Sequence, residues 1–517
     1  MRNLALLLVA LLSLSRAETT GSYTGRPPNV LLAIADDWGV HAGAYGTRWI
    51  RTPAFDRVAN EGLLFRRAYT PMAKCAPSRS ILLTGRHLWQ LEAAANHMPF
   101  FPPKFKSWPE VLMERGWHVG FTGKGWAPGI ANDVSGRPRL MTGKPFQKRK
   151  CTPPTPTISS TDYAANFVDF LNSATPGVPW CFWFGANEPH RPYTFGSGKN
   201  NGGKTVRDID HVPAYWPDHD IVRTDMLDYA YEVEHADNHL ARMIAELEKR
   251  GLLDQTLIIV TSDHGMPFPR VKGYAYHAAN HVPFAVRWPA GIAKPGRVID
   301  DFVDFTDVAP TILDLARISH AQSGMQPIAG KSLGPIFSSR RTGQVSSDRT
   351  SVFVAKERTD VGRPHDWGYP IRGIVTAQFL YLHNYEPSRW PAGNPETGYL
   401  DTDGSPTKSL ILERGRQNRA DPFWQLNFGF RPADELYDLA TDPDCVINLA
   451  ENPARVAQVK KMRQRMESKL KTLGDPRMFG RGYVFDEYPP TSGAGFYEKF
   501  MHGEKPPANW VNATDFE

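Results

Sequence analysis

Cys75-Ala76-Pro77-Ser78-Arg79, continuing through Ser80-Ile81-Leu82-Leu83 to Thr84-Gly85-Arg86, sets a thiol, a proline and a guanidinium close together. Pro77 suits the first turn of a helix, where its missing N–H forfeits nothing, so a helix is predicted over about 77–84. Cys75 then falls just ahead of the helix N-terminus. Unpaired N–H groups, the helix dipole and the charge of Arg79 together favour an anion at that place. Taken alone, Cys75 also reads as an ordinary buried thiol.

The flanking sequence sets the fold class. Residues 30–35 form a continuous apolar run, the pattern of a strand buried on both faces of a parallel sheet, and the run stops at Asp36-Asp37. Thr52-Pro53 opens a short helix that Gly62 closes. Beyond the central segment, Ser107 caps a helix ended by Gly116, and 117–122 reads as a strand delivering Gly123-Lys124. Residues 163–171 look helical, and 180–185 form an aromatic strand leading to Asn187-Glu188-Pro189-His190. A long amphipathic helix is predicted over 225–250, followed by a strand at 257–260 that releases Thr261-Ser262-Asp263-His264-Gly265. Each polar motif sits just past a predicted strand or at a helix start, the edge of an open α/β sheet where ligand sites form.

From about Asp366 the alternation of strands and helices weakens. Residues 371–383 have strand character, 435–439 introduce a turn-rich stretch, and 453–473 read as a charged amphipathic helix. The expected organisation is a catalytic region over 18–365 and a smaller α+β domain over 366–517 with an irregular tail.

Two adjacent carboxylates, Asp36 and Asp37, cannot both stay charged at low cost in a buried site without a cation. Such a pair is commonly a cap or a surface pair, but Asp263-His264 at a second strand end turns the reading towards a metal site.

Cys75-Ala76-Pro77-Ser78-Arg79 matches the C-x-P-S-R signature, and with the trailing Thr84-Gly85-Arg86 and the motifs between Asn29 and Asn448 the chain resembles the type I sulfatases. The resemblance implies an alkaline-phosphatase-like α/β fold, a mixed sheet flanked by helices. It also implies that Cys75 is oxidised by a formylglycine-generating enzyme. One divalent metal, Ca²⁺ in the family, would be held by Asp36, Asp37, residue 75, Asp263 and His264. The hydrated aldehyde would attack sulfur, and loss of its second hydroxyl's proton would expel sulfate. Arg79, Lys124 and Lys272 match positions that steady the formylglycine and the sulfate oxygens, and His190 matches a sulfate-contacting histidine and is expected to act as the proton donor.

Two departures stand out. The usual Asp-Asn pair reads Asp263-His264, which admits divalent metals other than Ca²⁺. The usual Gly-Lys-x-His reads Gly123-Lys124-Gly125-Trp126, leaving His264, His277 and His281 as unranked replacements for the missing histidine. Leu63-Leu64-Phe65-Arg66, Pro267-Phe268-Pro269 and the 435–448 passage are similar to the heparan N-sulfatase branch, which implies an N-sulfated glucosamine substrate, with Asn96, His97 and His281 as candidate saccharide contacts. An O-sulfatase of another polysaccharide, a phosphate or phosphonate monoester hydrolase, and an inactive polyanion-binding protein are the alternatives.

Composition bounds these readings. The 517 residues suffice for a large core, and a net charge of +6 helps attract polyanions at low salt. Lys148-Arg149-Lys150 and the cationic residues of 414–419 are candidate parts of a polyanion track, although such runs are commonly solvated surface. No zinc-finger spacing or RNA-binding signature points to nucleic acid. Residues 1–17 read as a secretory signal peptide, and no later apolar run approaches membrane-spanning length. Four cysteines allow at most one disulfide once Cys75 is set aside. A single glycosylation sequon, Asn512-Ala513-Thr514, favours a periplasmic or extracellular bacterial enzyme over a lysosomal one. The expected partners are a sulfated saccharide and the maturation enzyme, with a homodimer as an open alternative and neither nucleic acid nor membrane.

Overall fold

The computed structural model describes residues 25–517, so the expected signal peptide lies outside the described residues. The central strand β1 (Asn29–Ala35) is buried along almost its whole length. Its side chains alternate between two apolar layers. Leu31 and Ala33 pack with Val233 and Leu240, whereas Val30, Leu32 and Ile34 pack with Ile81, Leu82 and Trp108. This is the period-two pattern of a strand covered on both faces, and each fully buried aliphatic side chain contributes about 1.5–3 kcal/mol.

Around β1, in chain order, lie β2 (Leu63–Phe65), β3 (His118–Gly123), β4 (Lys144–Pro145), β5 (Trp180–Gly185), β6 (Thr256–Ser262), β7 (Phe284–Arg287) and β8 (Arg297–Ile299). Among the described residues they form an eight-stranded sheet in the order β4-β3-β5-β1-β6-β7-β2-β8. Strands β4 to β6 of that order run parallel, with Leu32 opposite Trp183 on β5 and Ile259 on β6. Strand β7 is antiparallel to both β6 and β2, which makes the sheet mixed, as expected.

Helices α1 (Pro53–Asn60), α2 (Cys75–Thr84), α3 (Trp108–Glu114), α4 (Tyr163–Ser173) and α5 (Asp220–Lys249) cover the sheet. In α3, Ser107 and Glu110 form the reciprocal cap that the sequence signals. Helix α5 starts five residues before the expected Asp225, because the His219 ring accepts the Ile221 N–H and so caps an earlier turn.

A second, antiparallel sheet is built from β9 (Ser351–Lys356), β10 (Ile371–Thr376), β11 (Phe379–Asn384) and β12 (Asp434–Asp438), in that order. The turn-rich stretch that 435–439 introduces follows a strand. Residues 434–438 form an edge strand because Leu436 and Tyr437 pair with Tyr381 and Leu380 on β11. Helices α6 (Pro406–Gln417) and α7 (Val456–Thr472) accompany this sheet. Buried residues of β9 to β11 join the apolar clusters of the large sheet. All four cysteines are free thiols, so no disulfide forms among them. No helix among the described residues is long and apolar enough to cross a membrane.

Candidate active site

The carboxyl ends of β1, β3, β5 and β6 converge at one edge of the sheet, and the loops leaving them carry Asp36-Asp37, Lys124, His190 and Asp263-His264. Helix α2 enters from the side. It begins at Cys75 itself, two residues earlier than predicted, with the extended Lys74 as N-cap and the Ser78 N–H donating to the Lys74 carbonyl at 3.0 Å. Pro77 is thus the third helical residue, where an N–H would still lack an intrahelical acceptor.

Arg79 lies one turn beyond Cys75 and is fully buried. Its guanidinium ties the strand ends to α2. Nε donates to Asp263 Oδ2 at 2.9 Å and Nη2 to Asp36 Oδ1 at 3.2 Å, while Nη1 donates to the carbonyls of Lys124 and Gly125 at 3.1 and 2.8 Å. Lys124 Nζ donates to Asp36 Oδ2 at 2.6 Å. Lys272 Nζ donates to Asp37 Oδ2 and to Asp403 Oδ2, each at 2.7 Å.

Consecutive side chains of a strand point to opposite faces, yet Asp36 and Asp37 share one pocket. The turn that achieves this puts Asp37 at φ 75°, a left-handed conformation that aspartate tolerates better than most residues. Its N–H is fixed by Asp263 Oδ1 at 3.0 Å.

His264 is wholly buried. Its Nδ1 donates to the Gly265 carbonyl at 3.1 Å, which turns Nε2 inward. Nε2 is 3.7 Å from Cys75 Sγ, 3.0 Å from Asp37 Oδ1 and 3.7 Å from Asp263 Oδ1. Asp37 Oδ1 is buried and receives no hydrogen bond from the described residues. Asp37 Oδ1 and His264 Nε2, 3.0 Å apart, are both candidate ligand atoms for a cation. The sets Asp36/Asp37/Asp263 and Asp37/Cys75/His264 each offer ligand atoms within 4.8 Å of one another. The residues therefore fit a divalent ion, predominantly through oxygen.

Electrostatics point the same way. Burial would raise the Asp36 carboxyl, but Lys124 and Arg79 hold it well below the usual range; Asp37 is likewise held down by Lys272 against burial. Asp263, buried beside Asp36, is pushed up to about 7. Burial and Asp36 oppose ionisation of Cys75, yet Lys124, Lys272 and the His264 contact carry its thiol well below the ordinary value.

Residues 28–318 match the family model described as sulfatase, and residues 268–388 match that described as N-sulphoglucosamine sulphohydrolase, C-terminal. The chain belongs to the sulfatase family. It is similar to human N-sulphoglucosamine sulphohydrolase, with 29% identity over 480 residues covering 86% of this chain and 89% of the relative. It is also similar to an ulvan-active sulfatase of Formosa agariphila, with 27% identity covering 87% and 81%. Among solved structures, a protein in complex with its substrate D-glucosamine-2-N,6-O-disulfate superposes with TM-score 0.61 at 19% identity over 87% of this chain and 99% of its own. The phosphonate monoester hydrolase of Agrobacterium radiobacter superposes with TM-score 0.57 at 17% identity, covering 87% and 96%. Both establish the shared fold.

In this sulfatase the residues read from sequence as ligands or catalysts, Asp36, Asp37, Cys75, Arg79, Lys124, His190, Asp263, His264 and Lys272, are linked by direct contacts. His190 is the most solvent-facing of them, its side chain 34% exposed. Its Nδ1 donates to the Arg191 carbonyl at 2.6 Å, and its Nε2 faces Asp37 Oδ2 at 3.9 Å.

The candidate saccharide contacts each engage other groups of the protein. Asn96 Nδ2 donates to the Phe485 carbonyl at 2.8 Å and its Oδ1 accepts the Arg358 N–H at 3.2 Å, so the amide bridges two chain segments. His97 lies 3.6 Å from Asp360 Oδ2. His281 contacts the Arg66 carbonyl at 2.7 Å and stacks on Tyr69 and His277. Of the three imidazoles left unranked by sequence, His264 is the one in contact with Cys75. Trp126 turns from that pocket, its Nε1 donating to Ser80 Oγ at 2.8 Å and its ring set edge-on to Phe101.

Asp403, Lys74 and Asp360 escaped the sequence reading. Asp403 holds Lys272, and Lys74, the residue before Cys75, is buried and paired with Asp360 at 2.9 Å. Only the position of Lys74 next to Cys75 could have hinted at this.

Proposed function

We propose that this sulfatase removes the sulfate of an N-sulfated glucosamine at the end of a heparan-type saccharide, using a formylglycine made from Cys75 by a formylglycine-generating enzyme. The observation that carries the reading is the placement of Cys75 at the start of α2, with His264 at 3.7 Å and Arg79 one turn further on, tied to Asp36 and Asp263. The hydrated aldehyde would supply a nucleophilic hydroxyl, together with a second hydroxyl whose deprotonation releases sulfate. A divalent ion, Ca²⁺ by family, would be held by Asp36, Asp37, Asp263, His264 and residue 75, and would offset the charge of the sulfuryl oxygens.

The chain's own groups supply the rest. Lys124 and Lys272 already bind carboxylates, so their ammonium groups are fixed before substrate arrives and can donate to sulfuryl oxygens without reorganisation. Arg79 spends its hydrogen bonds on the protein and therefore acts by holding Asp36 and Asp263 in place. His190 Nδ1–H is committed to a carbonyl, so Nε2 is the atom that would hand a proton to the leaving group. Giving that proton to the departing nitrogen leaves a neutral imidazole, able to accept the proton released in the second step.

The N-sulfated substrate is supported by the C-terminal family match and by the human relative's name. An O-sulfated polysaccharide is the second reading, favoured by the ulvan-active relative. Product analysis on N-sulfated and O-sulfated disaccharides decides between them: sulfate release from the N-sulfated sugar is expected, and release from O-sulfates alone overturns the preference. Export by an N-terminal signal to the periplasm or the extracellular space belongs to the same reading.

A further inference from the structure

The last residues of the chain are bound to the loop that carries Asp403. The Gly404 N–H donates to the Trp510 carbonyl at 2.7 Å, and Trp510 Nε1 donates to the Leu400 carbonyl at 2.9 Å. Leu400, Val361 and Phe496 form a small apolar cluster against Ala508, Trp510 and Val511. Beneath the loop, Lys408 of α6 donates to the carbonyls of Gly398, Tyr399 and Thr402 at 2.8, 3.3 and 2.9 Å, and pairs with Asp515 at 3.0 Å. Neither side chain of that pair reaches solvent.

The loop bears two buried carboxylates. Asp401 pairs with Lys356 at 3.0 Å and Arg363 at 2.6 Å, and Asp403 reaches Lys272 at 2.7 Å. A continuous path therefore runs from Asp515 through Lys408 and the loop to Asp403, Lys272 and Asp37. A buried ion pair is weak as a source of stability, since apolar residues of similar volume often serve as well. What it supplies here is register, because Lys408 satisfies carbonyls on the loop and a carboxylate on the tail at once.

We propose that the C-terminal segment 508–517 is a positioning element of the active site. It fixes the loop 399–404 so that Asp403 shares the Lys272 ammonium with Asp37. A lysine stem is flexible, and without the second carboxylate the ammonium would close onto Asp37 alone. A displacement of about 1 Å at a group that stabilises the transition state costs as much as 10²-fold in rate.

The inference rests on Lys272 touching the reacting sulfuryl group, and it holds for whichever sulfated saccharide the enzyme turns over. The test uses the full-length, matured enzyme and two gentle changes remote from the pocket. In Gly404→Ala the new Cβ would lie 2.7 Å from the Asn512 nitrogen and push tail and loop apart. Asp515→Asn removes the negative charge that pairs with Lys408. Each is crossed with Asp403→Asn, with kcat, KM and melting temperature measured for all, and Lys272→Met as reference. Each single change is expected to lower kcat about tenfold with KM changed less than about twofold, and to lower it no further in the Asp403→Asn background. Losses that multiply with Asp403→Asn, or that follow melting temperature in place of it, overturn the proposal while the Lys272 reading stands. An unchanged kcat in Lys272→Met overturns both.

Discussion

Lys272 Nζ stands 2.7 Å from Asp403 Oδ2, a contact that spans 131 residues and joins the large sheet's edge to the C-terminal region. Because Asp37 binds the same ammonium, Lys272 is fixed from both sides. Lys272→Met is expected to lower kcat about 10²–10³-fold while the chain stays folded, the scale of losing one preorganised donor. Steady-state kinetics with circular dichroism checks this, and a loss confined to KM would assign Lys272 to ground-state binding instead.

Arg79 answers a different question, because its fork joins two carboxylates and two carbonyls from three strand ends. A lysine keeps the charge but cannot span that arrangement. Arg79→Lys is expected to destabilise the fold by about 3–5 kcal/mol, the cost of leaving buried charges unpaired. Denaturant unfolding measures it, and a change below about 1 kcal/mol would mean that water or a rearranged lysine replaces the fork.

The donor set at Asp37 and His264 makes metal dependence specific. Chelation is expected to abolish turnover, with readdition of Ca²⁺ restoring it. His264→Asn replaces the one nitrogen with an oxygen and is expected to tighten Ca²⁺ relative to transition metals. Calorimetric titration of both proteins reports the ratio, and an unaltered preference would remove His264 from the ligand set.

Acid stability has its own determinant in His87, whose ring stacks on Trp89 and is held down to about 4 by burial. An unfolded histidine titrates near 6.5, so the native chain binds fewer protons between those values. The stabilisation is full above about pH 6.5 and is lost as pH falls towards 4, up to about 3 kcal/mol in all. Melting curves of wild type and His87→Gln are expected to converge as pH drops from 7 to 4.5. Curves that stay parallel would show that the His87 ring is charged, or exposed, throughout.

Much of the site was legible because it follows strand ends. An apolar run that stops at Asp36-Asp37, and another that stops before Asp263-His264, need only local pattern to be placed on one sheet edge. Cys75 was placed just ahead of its helix because proline marks the first turn without saying which of its positions it takes, and the extended Lys74 decides that. The strand at 434–438 was missed because its pairing partner on β11 lies more than fifty residues away and its own residues alternate poorly. Asp403 and Asp360 were invisible for the same reason at greater range: a carboxylate in a Gly/Thr-rich loop carries no local sign of the lysine it will meet. Asn96 is buried by contacts to residues 358 and 485, which no neighbour in sequence announces.

Everything chemical in this account turns on residue 75. The direct measurement is mass spectrometry of the peptide containing it, from a preparation whose sulfate release has been titrated to active sites. An aldehyde or its hydrate at position 75, in proportion to the active fraction, is the predicted result. Full activity from a chain whose Cys75 remains a thiol would contradict it.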